Sequence, residues 1–289
     1  AYIKVQDGCN QFCTYCIIPY ARGRVRSRKI AHVMDEVHAL AAKGYKEVVL
    51  TGIHLSSYGV DFPAEEKETL LSLIRAVHEV EGIERIRLGS LEPGIITEEF
   101  VQSIAALPKM CPHFHLSLQS ACNETLKRMN RHYTAAEYKA LVGRIRAQFE
   151  NPSITTDMMV GFAGETDKDF AESLRFAEEI GFAKVHVFAY SVREGTRAAK
   201  MDGHLPQSVK DARSREMIEC TDALREAFLR TQLNRVQSVL FETQQDGIYT
   251  GYTPNYTRVY APCSRDICGE ILSVRLLTVK GGACAGEIV

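Results

Sequence analysis

Asp7-Gly8-Cys9-Asn10-Gln11-Phe12-Cys13-Thr14-Tyr15-Cys16 sets three cysteines within eight residues, directly after the β-like run Tyr2-Ile3-Lys4-Val5-Gln6. A strand ending in such a loop is the first βα turn of an α/β fold. Ligands gather at the carboxyl ends of the strands in these folds, where loops and helix N-termini converge. Three thiolates spaced Cys-x-x-x-Cys-x-x-Cys can hold three irons of a cubane and leave the fourth open, whereas a fourth cysteine closes it. The other reading is a structural zinc site, which needs a fourth ligand, and His32 is the nearest candidate. The remaining cysteines (Cys111, Cys122, Cys220, Cys263, Cys268 and Cys284) are dispersed and read as ordinary small residues.

Outward from this loop the chain alternates short β-like runs with helical ones. Strands are predicted at 2–6, 47–50, 85–88, 114–118, 154–160 and 184–189. Val33, Val37, Leu40 and Ala41 keep a helical period that closes at Gly44 as a C′ residue, and Leu70, Leu71, Ile74 and Val77 keep another. Thr134 and Glu137 form a capping-box pair opening the helix of Leu141 and Ile145. Six βα units predict an α/β fold with a parallel sheet and outer helices. Six is short of the closed eight-unit barrel, so a partial (βα)6 barrel is expected. A charged helix follows at 209–231. Runs at 239–241, 247–253, 258–260 and 271–279 then read as short strands of a small all-β, OB-like barrel of about five strands. The boundary falls near Gln232, giving domains 1–231 and 232–289.

With 289 residues, 45% of them hydrophobic, and a net charge of -1, the chain can build one large core and a smaller one. No run approaches the roughly 20 apolar residues of a membrane span. Nine unevenly placed cysteines argue against a secreted disulfide scaffold and for a reducing cytoplasm. Ala1 opens directly into a strand with no initiating Met, as though cut from a longer chain. Arg22, Arg24, Arg26, Arg28 and Lys29 form a basic run with no acidic residue between Asp7 and Asp35. It can hold RNA phosphates or a carboxylate ligand, or be a solvated loop. In 232–289 five basic residues balance five acidic ones, so an RNA role there rests on Tyr256, Arg258 and Tyr260, expected on one strand face for base stacking.

The run from Asp7 to Gly23, with Leu116-Ser117-Leu118-Gln119-Ser120, Lys127-Arg128-Met129-Asn130-Arg131, Thr156-Asp157-Met158-Met159-Val160-Gly161-Phe162, Val187-Phe188-Ala189-Tyr190-Ser191 and Gly195-Thr196-Arg197-Ala198-Ala199, resembles the radical S-adenosylmethionine (SAM) methylthiotransferases. The resemblance covers essentially the whole chain, and its tail resembles a TRAM domain, a small RNA-binding β-barrel. It departs at Ala121, where the family has Gly, and at Ala163 and Ala189, where it has Pro; none of these is a chemical group.

The resemblance implies a [4Fe-4S] cluster on Cys9, Cys13 and Cys16 rather than zinc. SAM would bind the open iron and be cleaved by one electron to a deoxyadenosyl radical. It implies Tyr15 near the adenine. Thr51, Gly52 and His54 after the second strand, Ser90 and Glu92 after the third, Ser117 and Gln119 after the fourth and Asp157 on the fifth are expected around SAM. A hydrogen-bonding or surface role accounts for each of these equally well. His113 and His115 share one strand face and read as hydrogen-bonded core histidines. Thr51-Gly52-Ile53-His54-Leu55 and the run from Gly251 to Tyr260 look most like the branch that methylthiolates adenine C2 of N6-threonylcarbamoyladenosine beside the tRNA anticodon. The alternatives are a ribosomal protein aspartate methylthiotransferase and, in another class, a zinc-bearing RNA-binding module. The family further implies tRNA as partner, an electron donor such as flavodoxin or ferredoxin, a monomer, and a second [4Fe-4S] cluster in a domain upstream of Ala1 that delivers the sulfur.

Overall fold

Burial alternates along β1 (Tyr2–Asp7), where Ile3 and Val5 are fully buried while Tyr2 and Lys4 are exposed. In the computed structural model, which describes residues 1–289, this period of two makes a wall with one face on helices and one turned inward. The chain continues through α1 (Ile18–Arg22), β2 (Arg26–Ser27), α2 (Ile30–Ala42), β3 (Glu47–Gly52), α3 (Leu70–His78), β4 (Arg85–Leu88) and α4 (Glu98–Ala105). Then come β5 (His113–His115), α5 (Asn123–Arg128), α6 (Ala135–Gln148), β6 (Ser153–Val160), α7 (Asp167–Ile180) and β7 (Lys184–Ala189). Strands β1, β3 and β4 pair in parallel, as do β5, β6 and β7. Single parallel bridges, Ile86 to Met110 and Leu91 to Leu116, join the two halves. The short β2 lies antiparallel outside β1 and is unpaired with β7, so the barrel stays partial.

Local chemistry explains the helix ends. Thr69, Thr134 and Thr166 each close a capping box, and Gly44 takes φ +83 one residue past the α2 cap. The core fills the space between strands and helices, with Ile3, Leu50, Ile86, Phe114 and Ile154 against Val37, Ile74, Tyr138 and Phe176. The strand expected at 114–118 is shorter. The Leu118 N–H donates to the Thr156 hydroxyl rather than to a ladder carbonyl, and Gln119 turns the chain at φ +68.

The long α8 (Gln207–Thr231) spans both cores, burying Met217 in the first and Leu229 in the second. After it, β8 (Val236–Gln245), β9 (Ile248–Tyr252), β10 (Arg258–Pro262), β11 (Ile271–Lys280) and β12 (Ala283–Ile288) close a five-stranded barrel in the order β10-β12-β11-β8-β9. Its core is Val239, Phe241, Tyr249, Val259, Val274 and Leu276. No helix is long and apolar enough to cross a membrane.

The small barrel presses on the N-terminal ends of β3 and β4. Arg85 donates to the carbonyls of Tyr252 (2.9 Å) and Ser238 (2.8 Å), and Arg87 to that of Pro254 (2.9 Å). Arg87 also forks onto Glu47 at 2.8 and 3.1 Å, and both are buried. Removing one member of such a pair strands the other charge, at a cost of about 3–5 kcal/mol. Arg87→Met is therefore expected to lower stability to urea by about 3 kcal/mol. A loss below about 1 kcal/mol would show that Arg85, 3.8 Å from Glu47, compensates on its own.

Candidate functional site

The cysteine loop is built from two sides. Gly8 leaves β1 at φ +73, and a Cβ there would stand 1.9 Å from the Arg24 carbonyl oxygen, so no other residue fits. The Cys9 N–H donates to the Gly23 carbonyl at 3.1 Å. Gln6, fully buried, donates to the carbonyls of Asp7 (2.8 Å) and Gly8 (2.7 Å) and accepts from the His54 N–H (2.8 Å). On the other side lies the segment ending α5. Thr14 donates its N–H to the Met129 carbonyl (3.0 Å) and its hydroxyl to that of Arg128 (2.9 Å). The Asn130 amide donates to the carbonyls of Gln11 (3.2 Å) and Phe12 (3.3 Å).

Arg131 reaches one of the sulfurs. Its Nη1 lies 3.4 Å from Cys13 Sγ, Nη2 donates to Glu92 Oε2 (2.9 Å) and the Ser117 carbonyl (3.1 Å), and Nε donates to the Tyr133 hydroxyl (2.9 Å). Burial opposes its charge, yet the surrounding Tyr133, Tyr15, Glu92 and Cys13 hold the guanidinium above its ordinary value. Burial pushes the Cys9 and Cys16 thiols up, and repulsion from their neighbouring sulfurs adds to it. That mutual repulsion is what a shared cation core relieves.

The expected cofactor residues divide into two groups. Tyr15, His54, Glu92 and the Ser117 carbonyl surround Cys13 and Arg131. His54 accepts from or donates to Ser57 at 2.7 Å through Nδ1, while its Nε2 is buried without a hydrogen bond, 3.8 Å from Glu92. Thr51 and Gly52 end β3, with Gly52 packed on Gln6. Gln119 links to β6 through backbone hydrogen bonds with Asp157 and Met159. Asp157 belongs to the second group. It lies 3.4 Å from His115 Nε2, whose Nδ1 meets the Thr155 hydroxyl at 3.0 Å. The exposed Ser90 lines a cavity with His115 and His186. Gln6, Arg131 and Tyr133 are site residues beyond the sequence expectation. The signals for them are a polar residue at a buried strand position and the motif around Asn130.

The basic run is largely neutralised. Arg22 and Arg26 flank Asp7 at 3.9 and 3.6 Å, Arg28 pairs with Glu36 at 2.7 Å, and Lys29 with Glu66. Arg24 lies over the Phe12 ring at 4.9 Å. Tyr256 corrects the expectation of one strand face. It sits before β10 in a turn at φ +65, stacked on Tyr252 at 4.8 Å and covered by Arg87 at 4.4 Å, because its N–H closes that turn onto the Thr253 carbonyl. Arg258 and Tyr260 do share the outer face of β10, with the guanidinium 5.0 Å over the ring.

The donor set can be tested against a metal. Only His115, Asp157 and His186 bring three ligand atoms within 4.8 Å of one another. Cys9, Cys13 and Cys16 do not bring their three sulfurs within 4.8 Å of one another, and His32 is exposed on α2. Three thiols on one loop are the donor chemistry of an iron–sulfur cluster. Beside Cys16 a cavity of about 480 Å³ is walled by Tyr15, Ile17, Met159, Phe188 and Tyr190.

Residues 3–177 match the family model of the radical SAM superfamily, and the chain belongs to that superfamily. The fold is that of solved members. It superposes on the radical SAM methyltransferase TsrM of Kitasatospora setae with a TM-score of 0.56 at 21% identity, covering 68% of this chain and 38% of that one. For coproporphyrinogen III oxidase (HemN) of Escherichia coli the TM-score is 0.54 at 14% identity, covering 88% and 66%. Within the superfamily the chain belongs to the tRNA methylthiotransferases. It is 39% identical over its whole length to the threonylcarbamoyladenosine tRNA methylthiotransferase MtaB of Chlamydia pneumoniae and covers 68% of that protein. It is 38% identical over 96% of its length to MtaB of Bacillus subtilis, covering 62%. It is 37% identical over its whole length to the tRNA-2-methylthio-N(6)-dimethylallyladenosine synthase of Acetivibrio thermocellus, covering 60%. The chain thus spans between 60% and 68% of the length of these relatives.

Hydrogen bonds to cluster sulfurs stabilise the reduced state. Arg131→Gln is expected to lower the midpoint potential of a reconstituted cluster by tens of mV, with about 59 mV for each tenfold change in a one-electron couple. A redox titration followed by electron paramagnetic resonance reads this directly. An unchanged potential would make Arg131 a brace for Glu92 alone.

Proposed function

We propose that this chain carries the SAM-cleaving part of adenine C2 methylthiolation in tRNA, acting on N6-threonylcarbamoyladenosine. Cys9, Cys13 and Cys16 would hold the [4Fe-4S] cluster. Bound there, the cluster supplies the electron for reductive SAM cleavage and an open iron for SAM. Tyr15 and the apolar wall beside Cys16 would receive the adenosyl group, and Thr51 and Gly52 at the end of β3, with His54 just beyond, would meet the SAM amino group. Arg131 and Glu92 fix each other and keep the Cys13 side of the site ordered. The single observation carrying the reading is the three-cysteine loop after β1, pinned by hydrogen bonds to Arg128 and Asn130, in a chain of the methylthiotransferase family.

The choice of nucleoside rests on the interior. His115, Thr155 and His186 turn hydrogen-bonding groups inward, which suits a polar threonylcarbamoyl group better than an apolar dimethylallyl group. Residues 1–231 act as the radical SAM domain and 232–289 as a TRAM-type RNA-binding barrel. We assign a flavodoxin or ferredoxin as electron donor, a monomeric state and a cytoplasmic location. The six other cysteines are dispersed along the sequence, and in this reading the sulfur comes from outside this chain.

Given SAM, reductant and a reconstituted cluster, the chain is expected to release deoxyadenosine and methionine. Release should be faster with tRNA bearing threonylcarbamoyladenosine than with tRNA bearing dimethylallyladenosine, and mass spectrometry of the nucleosides should find no methylthio product. Methylthio product from the chain alone would contradict the outside sulfur source, and stimulation only by ribosomal protein would replace the substrate. Cys13→Ala is expected to lose both iron and SAM cleavage; full cleavage by that variant would remove Cys13 from the site.

A further inference from the structure

A cavity of about 400 Å³ lies between the two barrels, bounded by β7, α8 and β10. Lys184, Arg225 and Arg258 line it with Arg87, His113, His115 and His186, and no Asp or Glu belongs to its wall. Arg87 is neutralised by Glu47. Lys184, Arg225 and Arg258 take part in no ion pair. Arg225 donates only to the Gly282 carbonyl, and Arg258 lies over Tyr260. Burial, followed by repulsion from Arg225, pulls the Lys184 ammonium below its ordinary value. Three uncompensated cations from three separate elements therefore face one space.

That charge decides between two occupants. A divalent cation on His115, Asp157 and His186 would be repelled by all three, and Asp157, which is not part of the cavity wall, already serves His115. An anion is attracted by all three. The cavity also climbs to Gly89 and Ser90, two residues short of Glu92, which holds Arg131 beside Cys13. Its rim carries the stacked pair Tyr252 and Tyr256, the latter 40% exposed, and aromatic faces with cations are what single-stranded RNA uses. We infer that this cleft between the barrels binds the phosphates of the RNA strand that carries the reacting nucleotide, so that the base approaches the cysteine loop through the barrel interior. The inference rests on the tRNA reading above and moves the main phosphate contacts from Arg22, Arg24 and Arg26 to Lys184, Arg225 and Arg258.

The test is tRNA affinity against salt concentration for the whole chain and for Lys184→Gln/Arg258→Gln. Each phosphate contact contributes about 0.7–0.9 to the slope of log affinity against log salt. The double variant is expected to flatten the slope by about 1.5, and Arg24→Gln/Arg26→Gln by less than about 0.9. An unchanged slope in a double variant with unaltered melting overturns the inference while leaving the tRNA reading intact. Failure of the unaltered chain to bind tRNA overturns the tRNA reading. A second measurement needs no variant: acetylation of Lys184, followed by peptide mass spectrometry, should slow at least severalfold with tRNA and not with equimolar inorganic phosphate. Equal reactivity with and without tRNA, or equal protection by phosphate, would show that the cleft does not hold an RNA strand.

Discussion

The hydrogen bonds between the cysteine loop and the segment from Arg128 to Arg131 are the constraint from which the site follows. Phe12 and Asn130 are both held at positive φ, a conformation that costs non-glycine residues of order 1–3 kcal/mol each. Asn130 offsets this by feeding two loop carbonyls at once, and Thr14 adds its N–H and hydroxyl to the same segment. The loop between β1 and α1 is thereby fixed by residues about 118 positions away in the chain. Only a barrel that brings the end of α5 under the end of β1 can do this. Gly8 and the buried Gln6 close the other side.

The two barrels are coupled through the same physics. Glu47, Arg85 and Arg87 form a buried charge group, and its spare donors satisfy carbonyls of the small barrel. Beside it, Gln232 is fully buried and bonds Asn151 and Asn255 at 2.6 and 3.0 Å. The interface is thus polar and directional, which fixes orientation more than it adds net stability. In the proposed reading, chemistry sits at the carboxyl ends of the strands and RNA at their amino ends, with the polar interior between.

Much of the fold was legible because its signals are local. Alternation located all six parallel strands, and the capping pair at Thr134 and the glycine at 44 marked real helix ends. The triplet marked the loop that the segment from Arg128 to Arg131 pins. What sequence left out depends on distant partners. The basic run looked free because Asp7, Glu36 and Glu66 reach it only in three dimensions. Tyr256 looked like a strand residue because its turn is closed by hydrogen bonds among Thr253, Asn255 and Thr257. The strand β12, Ala283–Ile288, has small residues where a strand usually has branched ones. A Cβ at Gly286 would meet the Arg275 carbonyl oxygen at 2.5 Å, so close backbone approach dictated the composition. Arg131 is one residue of a recognisable motif, but nothing local says that its guanidinium meets Cys13.

The central claim is that three thiols hold a four-iron cluster whose fourth iron is open to SAM. Mössbauer spectroscopy of the chain reconstituted with ⁵⁷Fe, recorded with and without SAM, tests it most directly. The account predicts four irons per chain, one of which changes its spectrum when SAM is added while three do not. Four irons all indifferent to SAM, or a chain that retains zinc and no cluster, would contradict it.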